Sequence, residues 1–293
     1  MREGTVIRGI GSFYTVREEA TGETFTLRAK KKFRREHISP LAGDRIRFTP
    51  GTGEEHGWIE EILPRKTLCL RPPAANVETL VIVASPVPEP DLTLTDRMMA
   101  RAFRQGMQVI LAVNKTDLGP ETAERLRAEY APAGVQVFPV SARTGAGLDA
   151  LREAMKGSLC CMAGQSGVGK STLLNALMDL QLETGEISRK IRRGRNTTRQ
   201  AELMEGNGLQ VMDTAGFQVM EPEKDLAPEQ LKEGWPEFAP WEGKCRFREC
   251  LHDREPGCAV AEAVKAGTVP SGRWTRYREM LEETRESWKN RYE

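Results

Sequence analysis

The sequence predicts a multidomain protein in which an all-β barrel, a central α/β nucleotide-binding domain and a small, mostly helical metal-binding domain follow one another. Three observations support this fold class. Short alternating strands separated by Gly and Pro fill the chain up to residue 71, apolar strands then alternate with helices around a glycine-rich loop, and cysteines cluster with a histidine near the C-terminus. We place the domains at residues 1–71, 72–222 and 223–293.

The composition is typical of a water-soluble protein. Of the 293 residues, 39% are hydrophobic and 29% are charged, and the net charge is +1. The first residues lack the apolar core of a signal peptide, and no run of 18 apolar residues occurs. We therefore expect a cytoplasmic monomer with no membrane association. Its six cysteines are expected to be thiols or metal ligands, because disulfides are rare in the cytosol.

Five short stretches of alternating polar and apolar residues predict a small barrel at the N-terminus. A dense basic run lies among them at residues 28–35 and contains Phe33. Such a run can be a solvated charged face or a contact for RNA. Beside a barrel, with Phe33 available to stack on a base, RNA contact is favoured.

Residues 164–171 match the phosphate-loop pattern G-x-x-x-x-G-K-S and follow the apolar run 159–163. Glycines reach positive φ and turn backbone N–H groups towards phosphates, and a helix starting near Lys170 adds its positive end. Lys170 is expected to reach the β- and γ-phosphates, and Ser171 to bind Mg²⁺. The predicted nucleotide contacts of this loop are Gly164, Gln165, Ser166, Gly167, Val168, Gly169, Lys170, Ser171 and Thr172.

Two further loops indicate that the base is guanine. An N-K-x-D loop follows the apolar strand 109–113, and an S-A-R loop follows the strand 135–140. The Asp117 carboxylate can accept from the ring N–H and the exocyclic amine of guanine, a donor pair that adenine lacks, so we predict GTP and GDP as ligands. The residues assigned to the base are Asn114, Lys115, Thr116, Asp117, Ser141 and Ala142.

The loop D-T-A-G ends the strand 209–212 and supplies the remaining phosphate contacts. Asp213 is expected to hold Mg²⁺ through water, and Gly216 to face the γ-phosphate. Switch I is expected within residues 189–199. Thr198 is the favoured Mg²⁺ ligand there, because related GTPases place this threonine directly before an arginine, and Thr197 is the alternative.

The order of these loops is permuted. An ordinary GTPase begins with the phosphate loop, whereas here N-K-T-D and S-A-R precede it and D-T-A-G comes last. The change costs little, because the last helix of a GTPase ends near its first strand. On these motifs the chain resembles the circularly permuted GTPases of the RsgA family over nearly its whole length.

The resemblance implies an OB-fold for the barrel, binding to the small ribosomal subunit and its rRNA late in assembly, and stimulation of hydrolysis by that subunit. The family commonly carries a catalytic histidine in a G-R-H-T-T stretch, where this chain has Asn196. Asparagine can hold a water but cannot take its proton. Phe217 replaces the glutamine that orients water in Ras-type enzymes. The candidate catalytic residues are Asn196, which can hold the water, and the phosphate-contacting residues Lys170 and Gly216.

A metal site is predicted by the spacing C-x4-C-x-H-x5-C, formed by Cys245, Cys250, His252 and Cys258. Three thiolates and one imidazole make a closed tetrahedral zinc site, and so polar a segment has little core in which to bury free thiols. One structural Zn²⁺ would supply folding energy to a domain too small for a large core. The spacing also resembles the zinc motif of the RsgA family.

The last segment places Trp274, Tyr277, Leu281 and Trp288 at helical intervals, with arginines around them. We expect the apolar face to pack on the metal-binding module, and arginines on the exposed face are candidates for contact with RNA. The predicted function is GTP hydrolysis during assembly of the small ribosomal subunit. The alternative, favoured by Asn196 and Phe217, is a nucleotide-gated RNA-binding module with negligible hydrolysis.

Overall fold

The computed structural model describes residues 1–51, 55–70, 73–179, 201–213 and 225–291. Four residues predicted for the nucleotide site lie outside these ranges, namely Asn196, Thr197, Thr198 and Gly216. The described residues form two compact units, the first from residues 1–80, 149–163 and 170–217 and the second from 81–148, 164–169 and 218–293. The three domain limits given above stay a prediction.

Five strands close into a barrel in the first unit, as the alternating pattern predicted. They are β1 (Arg2–Ile10), β2 (Phe13–Glu18), β3 (Thr24–Ala29), β4 (Arg45–Thr49) and β5 (Gly57–Ile62). Around the barrel the order is β1-β2-β3-β5-β4, with β3 and β5 parallel and the other neighbours antiparallel. Inward-facing apolar side chains fill the interior. Those fully buried are Val6, Val16, Leu27, Ile46, Phe48 and Ile59.

The basic run after β3 folds differently from the expectation. Lys31–Arg35 form a short helix, α1, and Phe33 is only 5% exposed and packs on the barrel core. The prediction that Phe33 stacks on RNA is therefore wrong, because burying a large aromatic ring in the core is strongly favourable. Lys31 and Lys32, beside it, remain exposed.

A six-stranded sheet has the order β10-β9-β8-β11-β13-β12. Its strands are β8 (Thr79–Ala84), β9 (Gln108–Val113), β10 (Gln136–Pro139), β11 (Leu159–Ala163), β12 (Glu202–Gly206) and β13 (Leu209–Asp213), and a separate hairpin comprises β6 (Leu68–Leu70) and β7 (Pro73–Ala75). The pairs β9–β10 and β11–β13 are parallel, as alternating strands and helices predicted, whereas β12 runs antiparallel to β13.

Helices connect these strands, as the alternating pattern predicted. They are α2 (Leu92–Arg104), α3 (Glu121–Tyr130), α4 (Leu148–Met155) and α5 (Lys170–Met178). Helix α2 begins at Leu92, directly after Asp91, whose side chain accepts a hydrogen bond from the Leu94 N–H at 2.9 Å. This N-cap satisfies a backbone N–H in the first turn and so stabilises the start of the helix.

Charged pairs connect the barrel to β12 within the first unit. Arg8 on β1 pairs with Glu202 at 3.1 Å, and Arg17 on β2 pairs with Glu205. Strand β12 begins three residues after the end of the predicted switch I, so the barrel contacts a strand that follows switch I closely in the chain.

The C-terminal part of the second unit is mostly helical, with α6 (Pro228–Leu231), α7 (Ala259–Lys265) and α8 (Ser271–Lys289). Tyr277 and Leu281 on α8 are fully buried, and the Tyr277 ring lies edge-on to Trp235 and Phe238 at centroid distances of 5.0 Å each. The predicted apolar face of this helix is thereby confirmed at Tyr277 and Leu281, whereas Trp288 is not part of the buried cluster that the described residues form.

The arginines of α8 do not all face solvent. Arg273 is fully buried and donates to Glu237 at 2.7 and 3.0 Å and to Asp96 on α2 at 2.6 Å. Arg276 donates to Asp96 at 2.5 Å and to Glu129 at 2.7 Å. Arg273 and Arg276 are therefore not among the arginines available for contact with RNA, because their charges are neutralised by carboxylates inside the unit.

Among the helices that the structure describes, none is both long enough and apolar enough to span a bilayer.

Candidate nucleotide site and metal centre

The phosphate loop has a backbone that only glycine satisfies at two of its positions. Gly164 has φ of +135°, and an added Cβ would lie 2.2 Å from the Val83 carbonyl oxygen. Gly169 has φ of +91°, and its Cβ would lie 2.5 Å from Asn114 Nδ2. Because side chains at either position would collide as well as strain the backbone, the loop can form only with this glycine pattern.

The structure brings the N-K-x-D loop against the phosphate loop. The Asn114 amide donates to the Val168 carbonyl at 3.0 Å and accepts from the Ala142 N–H at 3.0 Å. Asn114 is 3% exposed, and its side-chain N–H and carbonyl oxygen both have hydrogen-bond partners inside the unit. One side chain therefore holds together the phosphate loop, the N-K-x-D loop and the S-A-R loop.

Lys115 adds a second connection between the loops. Its Nζ donates to the Gly167 carbonyl at 2.7 Å and to the Val87 carbonyl at 2.6 Å. Gln165 makes a further link, accepting from the Asp91 N–H at 2.9 Å. Sequence reasoning missed the segment containing Val87 and Asp91, which has no motif of its own and meets the site only through folding.

Asp117, predicted to recognise guanine, has both carboxylate oxygens engaged. Oδ1 accepts from the Ser141 hydroxyl at 2.6 Å, and Oδ2 forms an ion pair with Arg143 Nη2 at 2.6 Å. The hydrogen bond from Ser141, with a further contribution from Arg143, lowers the pKa of Asp117. The side chain is thus held as an ionised acceptor, the state that guanine recognition requires. The role of Arg143 was missed, although it is the third residue of the S-A-R motif.

Helix α5 begins at Lys170, directly after the loop, so its N-terminus adjoins the phosphate-binding backbone. Burial lowers the pKa of Lys170. Ser171 is half-buried and Thr172 is exposed in the first turn. Asp213 is the last residue of β13, one residue beyond the end predicted for that strand.

The predicted metal ligands converge. The ligand atoms of Cys245, Cys250, His252 and Cys258 all lie within 4.8 Å of one another. His252 Nδ1 lies 3.6 Å from the sulfur of Cys245 and 3.5 Å from that of Cys258. Two ligands of one tetrahedral zinc ion, with bonds of about 2.05 and 2.3 Å, would be about 3.6 Å apart. The four side chains therefore have the spacing of a metal centre.

Backbone groups around the cluster favour thiolates. The N–H groups of His252, Ala259 and Ala261 point at the sulfurs of Cys250, Cys245 and Cys258, at 3.4, 3.3 and 3.4 Å respectively. Each sulfur thus receives one N–H, an arrangement that stabilises negative charge on it.

The histidine is oriented from outside the cluster. Its Nε2 lies 3.2 Å from Glu242 Oε1, and its carbonyl accepts from the Trp274 indole N–H at 2.7 Å. A carboxylate on the far nitrogen fixes the tautomer that leaves Nδ1 for the metal. Glu242 was not predicted, and its only sequence signal is its position three residues before Cys245.

A phosphate loop, an N-K-x-D loop and an S-A-R loop held together at the ends of strands define a P-loop GTP-binding protein, and the order of its motifs makes it circularly permuted. The RsgA GTPase family model matches residues 62–223, and the RsgA N-terminal domain model matches residues 3–59. The chain therefore belongs to the RsgA GTPase family and is a GTPase.

Curated relatives match over nearly the full length. A protein of Ruminiclostridium cellulolyticum, named small ribosomal subunit biogenesis GTPase RsgA, is 42% identical over 94% of this chain and 92% of its own length. A relative of the same name from Geobacillus is 42% identical over 98% of both chains.

Two solved structures are also similar. YjeQ from Thermotoga maritima has a TM-score of 0.85 and 34% identity, covering 97% of this chain and 98% of its own. YloQ, described as a circularly permuted GTPase, has a TM-score of 0.81 and 29% identity, covering 98% of this chain and 96% of its own. The permuted order read from the sequence is thereby confirmed.

Proposed function

We propose that this chain hydrolyses GTP during biogenesis of the small ribosomal subunit. The observation that carries the proposal is the joining of the phosphate and guanine loops through Asn114, in a chain that is 42% identical to relatives named for that process. Membership of a GTPase family disfavours the alternative of an RNA-binding module with negligible hydrolysis.

Recognition of the base rests on Asp117. Its carboxylate, held by Ser141, accepts from the two N–H donors on one side of guanine, and adenine offers no such pair. Asn114 positions this loop against the backbone that receives the phosphates. The preference for guanine therefore depends on side chains that hydrogen bonds with other residues of the site hold in place.

The phosphates are received by the loop N–H groups, the N-terminus of α5 and Lys170. When bound, Mg²⁺ neutralises charge between the β- and γ-phosphates. Ser171, Thr198 and Asp213 would hold it, with Thr197 in place of Thr198 as the alternative. Gly216 faces the γ-phosphate in this proposal.

The sequence contains no evident side chain that both orients and deprotonates the attacking water. Asn196 can orient a water but cannot deprotonate it, and Phe217 can do neither. We therefore expect slow hydrolysis by the free protein, with switch I ordered by the ribosomal subunit. Completion of a GTPase site by a partner can raise the rate by about 10³-fold or more.

The metal centre is proposed to hold one structural Zn²⁺. Three sulfurs that each receive a backbone N–H, together with a histidine whose far nitrogen meets Glu242, fit a closed Cys₃His site. The ligands would be Cys245, Cys250, His252 and Cys258. The role is structural, because four protein ligands leave no position for water.

The barrel is the proposed site of contact with rRNA. The Arg28 guanidinium lies over the Phe13 ring, 4.6 Å from its centroid. Trp58, which is paired with Arg28 on the neighbouring strand, is 44% exposed. Bases can therefore stack on an aromatic and cationic surface there. This surface replaces Phe33 in the role first assigned to that residue. We further propose that the protein works in the cytoplasm, as a monomer.

The test is single-turnover hydrolysis of GTP with and without purified small ribosomal subunits. We expect slow turnover alone and a large increase with small subunits, whereas purified large subunits should have no comparable effect. A Lys170→Ala variant should fail in both conditions. Rapid hydrolysis by the free protein that small subunits leave unchanged would contradict the proposal.

A further inference from the structure

Arg143 forms an ion pair with Asp117, which the proposed function assigns to guanine. Asp117 has a side chain that is only 13% exposed, whereas the Arg143 side chain is 75% exposed. The pair therefore joins a shielded carboxylate in the site to an arginine that approaches it from solvent.

The two partners of Asp117 differ in how firmly they are held. Ser141 is 1% exposed, and its hydroxyl also accepts from the Thr144 N–H at 3.2 Å, while its backbone N–H donates to the Ala146 carbonyl at 2.9 Å. It is part of a closed turn and belongs to the built site. Arg143 is a long exposed side chain, so it can leave Asp117 without disturbing that turn.

The chemistry of Arg143 resembles that of the base. Guanine presents its ring N–H and its exocyclic amine side by side, and a guanidinium presents the same kind of paired N–H donors in one plane. A carboxylate that receives the guanine edge uses both oxygens, yet Oδ2 of Asp117 is already engaged by Arg143 Nη2 at 2.6 Å. The Arg143 guanidinium and the guanine edge therefore donate to the same acceptor, the Asp117 carboxylate.

We infer that Arg143 competes with guanine for Asp117, so that the ion pair weakens nucleotide binding and hastens nucleotide release. This inference rests on the proposed guanine site. Guanine displaces Arg143 on entry, and Arg143 takes its place on departure, which keeps the carboxylate paired in both states. Exposed ion pairs typically change an equilibrium constant by about 1.4- to 5-fold, so the effect is a modest adjustment of release.

The experiment compares the full chain with its Arg143→Ala variant, using GDP carrying a fluorescent ribose label. We expect Arg143→Ala to bind labelled GDP about 1.4- to 5-fold more tightly, mainly through slower dissociation. Raising the salt concentration should bring the unmodified protein towards the variant, because an exposed ion pair is screened. In an Asp117→Asn background, measured with xanthosine diphosphate, removing Arg143 should have no such effect.

Arg125→Ala is the matched control. Arg125 is also an exposed arginine in an ion pair, with Glu89 at 3.3 Å, and its removal changes the net charge equally. It should leave GDP release unchanged. A tightening seen with both variants would assign the effect to net charge and overturn the inference.

Unchanged or weaker GDP binding by Arg143→Ala would overturn the inference, and weaker binding would show that Arg143 supports the base. In either case a retained preference for GDP over ADP would leave the guanine site standing. If the unmodified protein binds GDP and ADP equally, the guanine site itself fails and the inference fails with it.

Discussion

Replacing Arg273 by methionine should remove the counter-ion of a fully buried carboxylate. Arg273 is 0% exposed and donates two hydrogen bonds to Glu237 and one to Asp96. Asp96 keeps its hydrogen bond from Arg276, but Glu237 loses both of the bonds it receives from Arg273. Methionine fills a similar volume, so the dominant effect is an unpaired charge rather than a cavity.

The magnitude follows from the burial. Removing one partner of a buried ion pair typically costs about 3–5 kcal/mol, because the remaining charge stays desolvated. Opening of the C-terminal part of the chain should then become more frequent by a factor between about 10² and 10⁴. This is a large share of a typical domain stability of about 5–15 kcal/mol.

Tryptophan fluorescence during urea unfolding is a suitable assay, since four of the five tryptophans lie in this part of the chain, at 235, 241, 274 and 288. Arg278→Met is the matched control, because Arg278 is 29% exposed and its partner Asp253 also pairs with Arg285. That change should cost about 1 kcal/mol or less. Adding Glu237→Gln to Arg273→Met should recover part of the loss by removing the unpaired charge.

An Arg273→Met variant within about 1 kcal/mol of the unmodified protein would refute the reasoning. It would mean that Glu237 finds another partner or water when the arginine is gone. A double variant with Glu237→Gln that is no more stable than Arg273→Met would likewise show that the unpaired carboxylate is not the cause.

Three further predictions concern the nucleotide and metal sites. Asp117→Asn should weaken GTP binding by about 10²-fold or more and favour xanthosine triphosphate, because the amide complements the xanthine edge; calorimetry that finds GTP affinity unchanged would contradict it. Protein purified without chelator should contain one zinc per chain, and removing the zinc should unfold mainly the residues beyond 224 while GTP binding survives; substoichiometric zinc on metal analysis would count against this. Asn196→His should change subunit-stimulated turnover more than GTP affinity, and equal effects on both in single-turnover and binding assays would argue against a role in positioning water.

The sequence by itself identified the motifs of the nucleotide site and the metal centre, because each motif is a short run with a local backbone requirement. The glycines at 164 and 169, the N-K-T-D loop and the Cys/His spacing are recognisable from a few consecutive residues. Helix and strand periodicity also depends on near neighbours, and the alternation of strands and helices predicted around the phosphate loop is present in the structure. The four metal ligands needed only their spacing to be identified as a group.

Tertiary structure alone decided which polar and aromatic residues are buried. Phe33 lies in a basic run and Arg273 in an arginine-rich helix, so their neighbours in sequence indicate solvent. Phe33 nevertheless packs in the barrel core, and Arg273 is neutralised by carboxylates 36 and 177 positions away. The same holds for the parallel pairing of β3 with β5 that closes the barrel. Burial and charge compensation depend on partners brought together by long-range packing, and a local pattern carries no information about those partners.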